Sequence, residues 1–184
     1  MRIVLALAAT LMLGAPALAQ DQLASPYRHQ AAMGLRGLSE SETTALETGT
    51  GMGMARAAEL NGYPGPRHVL DAVAAGKLAA SPEQVQRIQQ IFDGMQRDAQ
   101  RIGARILEEE RQLEAGFSAA TMTADDLRAR VGRIAALEGE LRTIHLAAHL
   151  ATRAILSDVQ VARYNELRGY ASGESEHPHP SHQH

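Results

Sequence analysis

Between Val85 and Leu113 the apolar and small residues recur with a spacing that constrains the fold more than any other feature. Val85, Ile88, Phe92, Met95, Ala99, Ile102 and Ile106 follow one another at intervals of 3, 4, 3, 4, 3 and 4, and Leu113 comes 7 later, with Glu109 at the skipped position. A repeat of 3.5 residues sustained for about four heptads predicts a long α-helix with one apolar stripe. Its start is written in Ser81-Pro82-Glu83-Gln84. Ser81 can cap, proline fits the first helical position, and Glu83 faces the positive end of the helix dipole. Gln84 can reach back to the cap as the partner in a capping box. Gly116 is the expected stop, which gives about 34 residues and roughly 50 Å.

A second seam follows. Thr123 with Asp126 opens it, and Leu127, Val131, Ile134, Leu137, Leu141, Ile144, Ala148, Ala151 and Ile155 carry it. Two long helices joined by about eight residues, each with a stripe to bury, are expected to fold back as an antiparallel hairpin over 82–155. Ser157-Asp158-Val159-Gln160 repeats the cap logic and starts a last helix over 158–170. Upstream, Ser39 and Glu42 form a capping box for an uneven helix toward Asn61-Gly62, weakened in its middle by Gly49, Gly51 and Gly53. After the rigid turn Tyr63-Pro64-Gly65-Pro66, a short helix is predicted from about Arg67 to Ala75. On the fourth helix Ala135, Gly139, Leu146 and Leu150 lie away from the seam, so that helix needs a second partner. Either the N-terminal helices cover it or a second subunit does, and the thin core of a chain this size favours a homodimer. The fold class expected is all-α: a long antiparallel hairpin with shorter N- and C-terminal helices.

Composition enters as exclusion. There is no cysteine or tryptophan, and only Tyr27, Tyr63, Phe92, Phe117, Tyr164 and Tyr170 are aromatic. Disulfides, zinc–thiolate sites, Fe–S clusters and cysteine nucleophiles are therefore excluded, and a β-sandwich or barrel is disfavoured. A formal net charge of −3 gives no basic field for nucleic acid. Residues 1–19 read as a secretory signal: Arg2, an apolar run from Ile3 to Ala15, and Ala17-Leu18-Ala19 ahead of a cut between Ala19 and Gln20. The expected compartment is the periplasm, with no membrane insertion after cleavage, since no later apolar stretch approaches about 18 residues. Residues 20–38 read as a flexible arm, 39–170 as a single helical domain, and 171–184 as a disordered, His-rich tail.

The candidate chemistry is histidine chemistry. His177, His179, His182 and His184 crowd the tail, and neutral imidazoles bind Zn, Cu or Ni; a solvated tail with incidental affinity is the other reading. His145 and His149 project from one helix face at a chelating spacing. They lack the glutamate after the first His that a zinc protease uses. They read either as a metal site or as two half-buried histidines bonded to neighbours. If the hairpin turns near residue 119 or 120, Asp93 is the nearest third ligand, and His68 can arrive from the short helix. Met52 and Met54 suit soft metals but read first as packing. Glu108, Glu109 and Glu110 read as a solvated face. No nucleophile–base arrangement or phosphate loop is present, so an enzyme is not expected. No cofactor is obligatory; a divalent ion (Zn, Cu, Ni or Co) is the candidate.

The two Ser-x-x-Gln helix starts, Ala80-Ser81-Pro82-Glu83-Gln84 and Leu156-Ser157-Asp158-Val159-Gln160, in an exported helical chain resemble the paired LTxxQ motifs of the Spy/CpxP family. Serine stands for threonine at both, and Ala80 for leucine at the first. The resemblance covers about Ser81 to Tyr170; residues Gly51 to Leu70 have no counterpart in it. It implies a periplasmic, cradle-shaped antiparallel helical dimer. Some members are ATP-independent chaperones of envelope stress, and relatives are zinc-associated proteins or CnrX-type metal sensors with helical His pairs. His145 and His149 look like that second kind of site. The known sensors carry a transmembrane anchor, which is not expected in this chain, so the resemblance does not extend to a direct sensor role. The function implied is a metal-responsive accessory protein that binds unfolded envelope proteins, or else a heavy-metal sensor or buffer signalling to a membrane sensor protein.

Overall fold

A computed structural model describes residues 25–28 and 35–170. The expected signal, the tail histidines His177, His179, His182 and His184, and most of the arm lie outside the described residues. Contacts divide the chain into two units, Met1–Arg36 and Gly37–His184. In the first, Ser25 to Arg28 form a turn in which the Arg28 N–H donates to Ser25 O at 3.2 Å. Among its described residues the second unit carries six helices: α1 (Glu40–Thr48), α2 (Arg56–Glu59), α3 (Pro66–Ala74), α4 (Pro82–Ser118), α5 (Ala124–Arg153) and α6 (Asp158–Arg168). No strand occurs among the described residues.

The helix starts lie where the cap residues put them. Ser39, Ser81 and Ser157 each accept the backbone N–H three residues on, and Glu42, Gln84 and Gln160 each reach back to the cap N–H. Thr123 caps α5 from Asp126 N. The stops are less legible. α1 ends early, at Gly49 with φ 71°, a left-handed geometry that only glycine adopts cheaply. The uneven helix expected as far as Gly62 is thus two pieces, α1 and the four-residue α2. α4 runs through Gly116 to Ser118, because an isolated glycine costs a helix only about 1 kcal/mol. The chain turns instead where Ala120 takes φ 53°.

α4 packs against α5, α1 and α3, and α2 and α3 also contact α5. Across the α4–α5 contact Glu109 pairs with Arg130 at 3.4 Å and Arg133 at 3.0 Å, and Arg101 and Arg105 reach Glu140 at 3.8 Å. The skipped seam position is thus an ion-pair position, and the Arg133 hydrogen bond holds the Glu109 carboxyl below the usual range. On α4, Ile88, Ala99, Ile102 and Ile106 of the seam are buried. Gly103 and Leu107, off the seam, are buried as well; Gly103 lies against the Leu46 backbone of α1. On α5 the buried stripe passes from Ile134, Leu137 and Leu141 to His145, Ala148, His149 and Thr152. Val131 stays 48% exposed, and Ala135, Gly139 and Leu150 face outward, covered by no described element. Val69, Leu78, Ile88, Leu156, Val161 and Tyr164 form a core cluster joining α3, α4 and α6.

The two Ser-x-x-Gln starts meet. Gln84 Nε2 donates to Gln160 Oε1 and Gln160 Nε2 to Gln84 Oε1, both at 3.0 Å. The second N–H of each amide goes to a distant carbonyl, Ile155 O at 2.9 Å and Ala79 O at 2.8 Å. Each amide therefore caps its own helix and fastens the other one. Gln84→Ala strands the Gln160 amide and the Ile155 carbonyl, so it should destabilise the chain by about 1–3 kcal/mol, more than loss of an isolated cap. Denaturant melting reads this as a lowered midpoint at unchanged slope. A double-mutant cycle with Gln160→Ala should show a coupling of at least about 0.5 kcal/mol; additive losses would refute the clasp.

Candidate functional site

His145 and His149 are 4% and 9% exposed, more deeply buried than their positions beside the seam suggested. The cause is tertiary. The 49–54 segment and the Tyr63–Pro66 turn lie over that side of α5. A side-chain Cβ at Gly51 would stand 3.4 Å from His145 Nδ1, and one at Gly65 would stand 3.1 Å from His149 Nε2. At Gly65 a side chain would crowd the His149 ring, whereas at Gly51 it would meet His145 at ordinary van der Waals distance.

The two rings differ in their bonding. His149 Nδ1 lies 2.7 Å from Tyr63 O. A carbonyl only accepts, so Nδ1 carries the proton, and in the neutral ring Nε2 keeps the lone pair. This backbone contact orients the ring as the outer partners of metal-bound histidines do. His145 Nε2 is buried with no hydrogen-bond partner among the described residues. Burial, and secondarily His149, lowers the His145 pKa, so the ring is neutral at pH 7.

Both rings line a cavity of about 630 Å³, with His68, Glu59, Arg56, Arg67, Phe92, Met95 and Arg168 among its other walls. Phe92 and Met95 are seam residues, and they are only half-buried because the seam faces this space rather than a helix. Arg67 lies 5.7 Å above the Phe92 ring. The carboxylate beside the histidines is Glu59. Its Oε2 is 3.7 Å from His149 Nδ1 and is itself buried without a partner. Its Oε1 accepts from Tyr164 OH at 2.6 Å, Arg168 Nε at 3.2 Å and Tyr170 OH at 3.3 Å. Burial and the Glu59 hydrogen bond push the Tyr164 pKa up, which keeps the phenol a donor.

Of the residues expected at the site, the structure brings together His145, His149 and His68. Asp93 is not among the cavity walls; it accepts from Gln89 Nε2 at 2.8 Å, one turn away on the same helix. Glu59 was invisible to sequence reasoning, since it belongs to a four-residue helix in the glycine-rich stretch. Its one signal was the position of α2 between two turn clusters, which brings a short segment back onto α5. Among the described residues no group of three or more His, Cys, Asp or Glu is arranged to hold one metal ion. The fit to a metal is that of a two-imidazole pair, with one ring oriented by a carbonyl and the other unpartnered.

Acid should loosen this region. Burial lowers the His145 pKa and, with Arg168 adding to it, the His68 pKa below the ordinary 6.5. The unfolded chain then binds more protons than the fold between the folded values and about 6.5, so stability falls as pH drops through that window. The slope is at most about 1.4 kcal/mol per pH unit for each ring. Urea midpoints at pH 7.5 and 5.5 check this; His145→Gln should flatten the difference, and an unchanged difference would refute the assignment to His145.

These features define an all-helical protein with a histidine-lined cavity under a glycine-rich strap. No protein-family model, curated protein or solved structure matches the chain.

Proposed function

We propose that the chain is a periplasmic, metal-responsive accessory protein of the envelope-stress type, with ATP-independent, chaperone-like binding of unfolded clients. The observation that carries the metal half is the pair of buried imidazoles, with His145 Nε2 unpartnered and the His149 tautomer set by Tyr63 O. Neutral imidazole suits Zn, Cu, Ni or Co. His145 and His149 would hold the ion through their ring nitrogens. Membership of the Spy/CpxP family and an antiparallel α4–α5 hairpin belong to the same reading. They are supported by the reciprocal contact of Gln84 with Gln160 and by the cross-pairs of Glu109 and Glu140.

The client half rests on exposed apolar side chains. Val131 and Leu150 on α5, Phe117 at the end of α4 and Val159 on α6 are 48%, 58%, 58% and 80% exposed. The outward face of α5 is also where a second copy would pack in a homodimer. A sensor or buffer role is the second reading, favoured by the enclosure of the His pair, which suits reversible occupancy better than surface capture. In it the occupied protein signals to a membrane sensor protein.

Calorimetric titration of the chain cut after Tyr170 tests the metal half, because it removes the tail histidines. Binding no tighter than about 10 μM, which is loose for a dedicated site, would sink the His145/His149 assignment. An aggregation assay tests the client half, which fails if equimolar protein does not delay aggregation of an unfolded client.

A further inference from the structure

Beside the histidine cavity, and sharing Met52, Gly53 and Arg56 with it, lies a second cavity of about 490 Å³. Its other walls are Met54, Ala57, Leu60, Asn61 and Arg142. Its charge is one-sided: two guanidiniums and no carboxylate. Neither Arg56 nor Arg142 makes a side-chain hydrogen bond or ion pair with any described residue, although most described arginines do.

The nearest acid in sequence does not neutralise Arg56: Glu59, three residues on, gives Oε1 to Tyr164, Arg168 and Tyr170. Two like charges lining one hollow repel each other, and an anion relieves that repulsion. The guanidinium fork also matches a carboxylate or phosphate better than any other side chain does.

The remaining walls are aliphatic, from Met52, Met54, Ala57 and Leu60. Met52 sits at φ 44°, a left-handed backbone conformation that costs a non-glycine residue energy and holds its thioether at the rim of both cavities. Leu60 is 58% exposed, so apolar surface lies open next to unpaired positive charge.

We infer that this hollow binds a carboxylate carried on a short aliphatic chain, with Arg56 and Arg142 gripping the headgroup and Met52, Met54 and Leu60 covering the chain. This site is separate from the imidazole pair and does not rest on the metal reading. It uses neither His145 nor His149 and needs no metal.

The probe is octanoate, with acetate and inorganic phosphate as references, titrated calorimetrically into the purified full chain in the presence of a metal chelator. Octanoate should bind at least tenfold more tightly than acetate, because several methylenes leave water, and its affinity should fall as salt rises. Arg56→Ala with Arg142→Ala should weaken octanoate at least tenfold at an unchanged melting temperature, since both side chains are exposed and unpaired. Leu60→Ser should narrow the octanoate-to-acetate ratio while leaving acetate binding unchanged. Equal binding of acetate and octanoate, phosphate binding more tightly than octanoate, or octanoate binding that survives the double arginine substitution would each overturn the inference. In the chain cut after Tyr170, loss of zinc binding by His145→Ala with octanoate binding intact would confirm that the two sites are independent.

Discussion

With His145→Ala and His149→Ala combined in the chain cut after Tyr170, zinc affinity should fall by at least about 100-fold against the same truncation with both rings in place. The magnitude follows from the chemistry. Disturbing a partner that merely orients a ligand costs about 10–100-fold in affinity, and here both ligands go. No cysteine exists to substitute, and no described group of three His, Asp or Glu stands ready as an alternative. The two rings are buried, so the double variant also opens space under the strap. His149→Gln is the companion variant: its amide nitrogen can still donate to Tyr63 O, which keeps the turn in place, while the imidazole lone pair is lost. Titration calorimetry reads affinity, and far-ultraviolet circular dichroism confirms the helices. Unchanged zinc uptake in the truncated double variant would end the metal reading of this cavity, whatever the tail histidines do.

The largest structural effect should come from Gly103→Ala. In an exposed helix interior this change normally stabilises by up to about 1 kcal/mol, through propensity alone. At Gly103 a Cβ would stand 2.8 Å from the Leu46 carbonyl carbon and 3.1 Å from its Cα, and closer still to its carbonyl oxygen. The obstacle is backbone, so no rotamer change relieves it, and α1 must shift as a unit. Overpacking of this kind costs about 1–3 kcal/mol or more, which exceeds the propensity gain. The expected result is a clear net loss, with α1 amides exchanging faster than those of α4. Gly132→Ala and Gly139→Ala provide the internal control. A Cβ at either meets nothing within 4 Å, so the same chemical change should stabilise by about 0.5–1 kcal/mol. A stabilised Gly103→Ala variant would mean that α1 does not pack on α4 as described. A destabilised Gly139→Ala variant would point to a partner seated on the outward face of α5.

The two sites divide the cavity region by chemistry. The imidazole side has His68, His145 and His149 with the Glu59 carboxylate as well as arginines, and the Arg56–Arg142 side has two guanidiniums, aliphatic surface and no carboxylate. Met52, Gly53 and Arg56 border both. Any movement of the 49–54 segment therefore alters the two walls together, whichever is occupied.

Legibility from sequence varied with the range of the interaction. The four long and medium helix starts were readable because a cap is local: Ser39, Ser81, Thr123 and Ser157 each meet a backbone N–H three residues away. The heptad on α4 found its buried face for the same reason. Stops were harder. Gly116 looked terminal and is not, because a helix held by tertiary packing carries one glycine easily, whereas Gly49 ends α1 because its left-handed φ turns the chain. The register on α5 drifted: Ala148 of the expected seam is buried, but Ile144 and Ala151 are not, and His145, His149 and Thr152 fill the buried side beside it. An ideal helix gains about 20° per heptad on a strict seven-residue repeat, and short segments from upstream cover the side it drifts toward.

By itself, then, the sequence determined that the chain is helical, where its main helices begin, and that any metal site must come from His, Met or carboxylate. Those properties follow from composition and from contacts a few residues long. Only the tertiary structure decided that Gln84 clasps Gln160, that Glu59 rather than Asp93 stands beside the His pair, and that Arg56 and Arg142 share one hollow. Each of those pairs is dozens of residues apart in the chain. Their meeting depends on how a glycine-rich strap, with no periodicity of its own, is folded down onto α4 and α5.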